Sequence, residues 1–216
     1  MPDINILVTL SKEPGKPPTA TMNGRATPLA DIVRSFGGLV DNSTKLVVID
    51  AAGTVTYDAV ISIAEAAWQD RICHVWVMNR VRRRSSGVAA FEMIPARRPC
   101  VATSGSVTID DRHPITIDVY ASGQTTLDGR VEQSAHLYDD VQAAVAYHRL
   151  RPEEYSTKVF LGGETRSPWS AMVTAFDAAE QAGSGYIRWF GYEPGQIARC
   201  KSYDPRTDPP CTFYVY

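Results

Sequence analysis

One stretch of this chain occurs twice, and that repetition constrains the fold more than any other feature. The first copy is Val47-Val48-Ile49-Asp50-Ala51-Ala52-Gly53-Thr54-Val55-Thr56-Tyr57, and the second is Val159-Phe160-Leu161-Gly162-Gly163-Glu164-Thr165-Arg166-Ser167-Pro168-Trp169. In each, an apolar run of strand type breaks at small residues, a polar turn follows, and an aromatic opens an amphipathic helix. Setting Tyr57 against Trp169 gives an offset of 112 residues (169 − 57), at which Val60, Ile61, Ala64 and Ala67 fall on Met172, Val173, Phe176 and Ala179. The apolar face persists while most polar positions change, as expected when a core is shared and a surface is not. A repeat of about half the length of a 216-residue chain favours two units over one large domain.

The elements around the repeat recur in the same order. Ile4, Ile6 and Val8 alternate with Asn5, Leu7 and Thr9, which suits a strand with one face more buried. The prolines and glycine between Ser11 and Thr19 require a loop, and Asn23-Gly24 predicts a tight turn at positive φ. Thr27-Pro28 reads as an N-cap and first helical residue ahead of Leu29, Ile32, Val33 and Phe36, with Gly37-Gly38 ending the helix. Lys45 to Ile49 is a strand, Thr56 caps a helix from Tyr57 to about Gln69, and Arg71 to Met78 is a further strand. The second half offers Pro114 to Tyr120 as a strand and Asp128-Gly129-Arg130 in place of Asn23-Gly24-Arg25. Leu137, Val141, Ala144 and Val145 mark a helix, and Lys158 to Leu161 a strand. Ser167-Pro168 caps a helix from Trp169 to Ala182 closed by Gly183, and Tyr186 to Phe190 is the last strand.

Each unit thus reads β-β-α-β-α-β, an α+β fold with two helices packed on one face of a small mixed sheet. The first unit covers 1–80, an Arg-rich linker 81–112, the second unit 113–191 and a Pro-rich C-terminal tail 192–216, read as an extended surface segment. Within the linker, Val88 to Ile94 and Val107 to Ile109 alternate enough to add a strand to each unit. Ile6 to Gly24 spans 18 residues (24 − 6) but Ile117 to Gly129 only 12 (129 − 117). Gly24 to Tyr57 spans 33 (57 − 24) and Gly129 to Trp169 spans 40 (169 − 129). The differences fall in the first Pro-rich loop and in the His148–Thr157 connection, where insertions cost little.

Composition places the chain among globular proteins, with 44% hydrophobic and 21% charged residues. A net charge of −2 gives no general attraction to nucleic acid or anionic membrane. No apolar run approaches the roughly 18 residues that span a bilayer. Met1-Pro2-Asp3-Ile4-Asn5 lacks the start of a signal peptide, which predicts a soluble protein if Met1 is the true start. Cys73, Cys100, Cys200 and Cys211 form no C-x-x-C; Cys200 and Cys211 bracket a Pro-rich segment that a disulfide would close in an oxidising compartment, with free thiols as the alternative.

The chemical candidates are few. Val47 to Val55 resembles the first motif of haloacid-dehalogenase-like phosphatases, in which the first aspartate attacks phosphorus, here Asp50. Ala52 stands where the acid/base aspartate is usual, Asp110-Asp111 precedes an apolar strand, Asp139-Asp140 sits in a helix, and the second copy has Gly162 for Asp50. His74, His113, His136 and His148 lack metal-ligand spacing, so no metal is expected. There is neither a G-x-S-x-G nor a phosphate loop, and Asp58 and Asp177 read as helix-surface charges. Arg80, Arg82, Arg83 and Arg84 form the one concentrated charge and are the candidate partner-binding residues, fitting an anionic surface such as cell-wall polymer or an acidic protein. No aromatics interleave them, so nucleic acid is not the expected partner. Trp68, Trp76, Trp169 and Trp189 stand at core spacing and are expected to be buried.

Taken together, Val159 to Gly163, Pro168-Trp169, the Met172/Val173/Phe176 face and Ala182-Gly183 resemble the periplasmic domain of the ExbD/TolR family, the small subunits of proton-driven inner-membrane motors. In the first unit Val48 to Ala52, Thr56-Tyr57-Asp58 and Val60-Ile61 carry the same resemblance. It implies a non-enzymatic scaffold with no catalytic residue and no cofactor, placed on the periplasmic face of a bacterial inner membrane. Its implied partners are inner-membrane motor subunits or cell-wall polymer. The family's membrane helix with its proton-carrying aspartate is not in this sequence, so proton coupling falls on no residue here. Two units in one chain would imitate internally the pairing of single-unit relatives, giving a monomeric pseudo-dimer. The alternatives are a phosphatase using Asp50 and a soluble, cytoplasmic interaction module without a motor role.

Overall fold

The computed structural model divides into two units, Met1–Gly105 and Ser106–Val215. It describes residues 4–13, 16–38, 45–84, 87–93, 113–184, 186–192 and 214–215, with only the backbone for 4–5, 79–84, 87–89, 186, 188, 190–192 and 214–215. The first unit contains β1 (Ile4–Ser11), β2 (Thr19–Met22), β3 (Arg25–Ala26), α1 (Leu29–Ser35) with a 3-10 turn over Phe36–Gly38, β4 (Leu46–Ala51), α2 (Tyr57–Gln69), β5 (His74–Arg84) and β6 (Gly87–Met93). The second contains β7 (His113–Val119), β8 (Thr125–Leu127), β9 (Arg130–Glu132), α3 (Leu137–Arg149), β10 (Tyr155–Glu164), α4 (Trp169–Gln181), β11 (Tyr186–Tyr192) and β12 (Tyr214–Val215).

The two six-stranded sheets have one topology. Their orders, β3-β2-β1-β4-β5-β6 and β9-β8-β7-β10-β11-β12, match strand for strand. The central three strands of each are parallel and the flanking pairs antiparallel. Successive right-handed crossovers that step in one direction put both helices on the same face. Accordingly α1 packs on α2, and α3 on α4. The fold is the α+β arrangement the periodicity predicts, with strands at the sheet margins that the simpler β-β-α-β-α-β reading lacked. β5 continues through Arg84 and β6 (Gly87–Met93) takes up the described part of the stretch expected to add a strand, so part of the expected linker belongs to the first sheet. β12, from the end of the tail, pairs antiparallel with β11. Val107 to Ile109 lies outside the described residues.

Cross-strand rows explain which residues became core. Ile6, Val47, Val75 and Met93 pair in one row of the first sheet, and Val8, Ile49, Val77 and Phe91 in the next. All eight are buried beneath Tyr57, Val60, Ala64 and Ala67 of α2 and Ile32 and Phe36 on the α1 side. In the second sheet Ile117, Leu161 and Trp189 form the matching row. Phe176 and Trp189 stand where the first unit has Ala64 and Val77, and Trp189 stacks between Trp169 (6.1 Å between centroids) and Phe176 (5.3 Å). This pairing also corrects the alignment of the first strands. Val8 opposes Ile49 and Ile117 opposes Leu161, so Val8, not Ile6, is the counterpart of Ile117. A two-residue shift keeps the buried face, which is why alternation alone did not detect it.

The helix starts differ from the sequence reading. Pro28 and Pro168 occupy the N-cap positions, and neither α1 nor α4 has a side-chain cap. Thr27 instead donates from Oγ1 to the Arg25 carbonyl (2.9 Å), and buried Ser167 donates from Oγ to the Val119 carbonyl (2.7 Å), tying α4 to β7. Thr56 is the N-cap of α2, again without a side-chain bond.

Candidate functional site

The hairpin turns repeat in atomic detail. Asn23 and Gly24 have φ of 51° and 79°, and Asp128 and Gly129 of 46° and 83°, as a type I′ turn requires. Asn23 Oδ1 accepts from the Leu7 amide (2.7 Å), and Asp128 Oδ1 from the Thr116 amide (2.8 Å) and its hydroxyl (3.1 Å). These clamps hold each turn against the first strand and are structural.

Asp50 is the penultimate residue of β4, on the face opposite the helices, half-buried, paired in register with Thr9. Among the described residues no three His, Cys, Asp or Glu side chains are grouped to hold a metal ion. At the corresponding turn of the second unit, buried Glu164 accepts a hydrogen bond from the Ala121 amide (2.7 Å), fastening the β7–β8 turn. Asp177, expected at the surface, is buried and accepts a hydrogen bond from Gln181; Asp58 is exposed.

The arginine cluster lies at the end of β5, in the hairpin with β6. Asn79 pairs with Ala89 and Arg83 with Val88, so β5 has three extra residues, Arg80, Val81 and Arg82, in a register shift. Such a bulge bends a strand and changes which residues share a face beyond it. Glu92, the acid of this hairpin, pairs with Trp76, four positions along β6 from Val88. Four strand positions span about 13 Å, more than the roughly 8–10 Å over which salt screens exposed charge. Glu92 itself lies 2.9 Å from His74 Nδ1.

Trp68, Trp169 and Trp189 are buried as expected, but Trp76 is 37% exposed. Val75 and Val77 fill the helix side of β5, so alternation sends Trp76 to the other face. There it stands in a row with Val48 and Leu7. Leu7 is 39% exposed. The signal was present in the sequence as the Val-Trp-Val alternation.

Sequence reasoning also missed a ring cluster in the second unit. His148, not Ala144, is the fourth buried position of α3, and its Nδ1 lies 2.7 Å from the Ser156 carbonyl. Tyr155 lies 4.7 Å from the His148 ring, 5.3 Å from Tyr147 and 5.7 Å from His113, and the Arg151 guanidinium covers Tyr147 at 4.1 Å. The Tyr155 hydroxyl pKa is raised by its hydrogen bond to Tyr147 and by that group's charge. His148, Arg151 and Tyr155 come from the His148–Thr157 connection, so this insertion packs against Tyr147 of α3 and His113 at the start of β7 as a small satellite core. Cys73, just before β5, is disulfide-bonded to a partner beyond the described residues; Cys200 and Cys211 lie there too.

No family model and no curated protein matches this chain. Among the described residues no helix is long and apolar enough to cross a membrane.

Proposed function

We propose that this is a non-enzymatic binding and scaffold protein with two tandem ExbD/TolR-like units, acting on the periplasmic side of a bacterial inner-membrane transport or energy-transduction complex. The observation that carries the reading is the repeat itself: both units bury the same helix and strand positions, while the residue of greatest chemical promise, Asp50, has Gly162 as its counterpart. What the chain preserves between its halves is a framework. Arg80, Arg82, Arg83 and Arg84 at the end of β5 are the candidate contact residues for motor subunits or cell-wall polymer. The Cys73 disulfide supports an oxidising compartment, where such bonds persist.

Thiol labelling of the protein in its own bacterium tests the compartment. A Cys73 that alkylates only after reduction supports the periplasmic reading, whereas a thiol labelled directly favours a cytoplasmic interaction module. Magnesium-dependent hydrolysis of a generic phosphate ester, lost in Asp50→Asn, would replace the scaffold by the phosphatase.

A further inference from the structure

We infer that the helix-free face of the first sheet, continued by the arginine end of β5, docks on an anionic phospholipid surface. This goes beyond the scaffold reading and does not depend on a motor partner. Three observations converge on it. The first is the row Leu7–Val48–Trp76, which puts two exposed large apolar side chains on one face, two strand spacings or about 10 Å apart. Singly exposed apolar residues are ordinary, but a paired Leu and Trp on a sheet face without helices form a flat apolar contact. Tryptophan is also the side chain that settles at the boundary between headgroups and hydrocarbon.

The second observation is the register. Val88, Ala90 and Glu92 alternate onto one face of β6; Glu92 pairs with Trp76, and Arg83 with Val88. The bulge therefore places Arg83 on the face of Trp76, which uninterrupted alternation from Trp76 would not do. The third is charge. Arg80, Arg82, Arg83 and Arg84 against Glu92 leave the hairpin at +3 (4 − 1) on a chain whose net charge is −2. Glu92 is held at hydrogen-bond distance by His74, and Asp50, the other acid of this face, is not a free charge. The cluster holds no lysine, and arginine's planar fork suits phosphate oxygens. A flat contact with an apolar centre and a basic margin fits a planar anionic bilayer better than a narrow polymer.

The experiment uses the full chain with vesicles of pure phosphatidylcholine and vesicles containing phosphatidylglycerol. Trp76 is the exposed one of the four tryptophans, so it alone should report insertion. Expected are co-sedimentation with the phosphatidylglycerol vesicles alone, a blue-shifted emission on binding, loss of that shift in Trp76→Phe, and reversal by salt. Each arginine near an anionic bilayer contributes roughly fivefold in partitioning, so R82S/R83S/R84S should weaken binding about 100-fold, with the far-UV spectrum unchanged. Absence of binding to anionic vesicles overturns the proposal, as does binding that leaves Trp76 emission unmoved or that the triple variant retains. Co-sedimentation with purified cell-wall sacculi in place of vesicles also overturns it, while leaving the scaffold reading standing.

Discussion

Arg71→Gly is expected to stabilise the first unit, because the second unit already contains that solution. Arg71 holds φ at 65° just after α2, and Gly183, its counterpart at the 112-residue offset (183 − 71), holds 73° after α4. The backbone closes alike in both. The amides of Ile72 and Arg71 donate to the carbonyls of Ala67 (2.8 Å) and Trp68 (3.0 Å), and those of Ser184 and Gly183 to Ala179 (3.2 Å) and Glu180 (3.1 Å). This is the Schellman pattern, whose left-handed residue is usually glycine. An L side chain in that conformation costs about 1–2 kcal/mol. Glycine's greater freedom in the unfolded chain offsets roughly 0.5–1 kcal/mol of the gain. Arg71 is exposed and gives up little packing, so the net effect is about 0.5–1 kcal/mol, or roughly 2–8 °C in Tm for a unit of this size. The reverse change is worse. A Cβ on Gly183 would stand 3.1 Å from Arg149 Nη2, which donates to the Gly183 carbonyl at 2.7 Å, so Gly183→Ala should cost about 1 kcal/mol or more. Urea unfolding at constant slope reads both. A lower midpoint for Arg71→Gly, or an unchanged one for Gly183→Ala, would refute the shared closure.

Two other changes test the second unit. Asp128→Ala removes two hydrogen bonds to Thr116 and should destabilise by about 1–2 kcal/mol, while Asp128→Asn, imitating Asn23, should keep most of that in the same urea assay. Partial burial, then the hydrogen bond and charge of Asp140, raise the Glu132 carboxyl above its ordinary 4.5. A raised carboxyl means the folded state holds the proton more tightly, so this group's contribution is present at low pH and fades as pH rises through the folded value. Glu132→Gln should therefore leave the urea midpoint unchanged below about pH 4 and raise it at neutral pH; a lower midpoint at neutral pH would contradict the assignment.

The fold was legible because periodicity carries burial. Val47, Ile49, Val159 and Leu161 announced strands, and Val60 and Met172 the helix faces; that these strands are central and parallel came from the structure. The β-bulge was not legible, because nothing in Arg80-Val81-Arg82 distinguishes a register shift from continued pairing. Ser167 resembled a helix cap because its sequence context is that of one; its hydroxyl is engaged by a strand brought close only by the fold. Trp76 looked like core because aromatic burial is the default, and only the placement of both helices on one face left it exposed. The contact surface thus came from topology acting on a pattern the sequence already held.

In-cell photo-crosslinking tests the scaffold reading most directly. A photoreactive residue in place of Arg83, carried by the full-length protein in the cells that make it, samples what meets the end of β5. Expected are adducts with integral inner-membrane subunits of a motor or with cell-wall material. Adducts confined to soluble cytoplasmic proteins would contradict that reading.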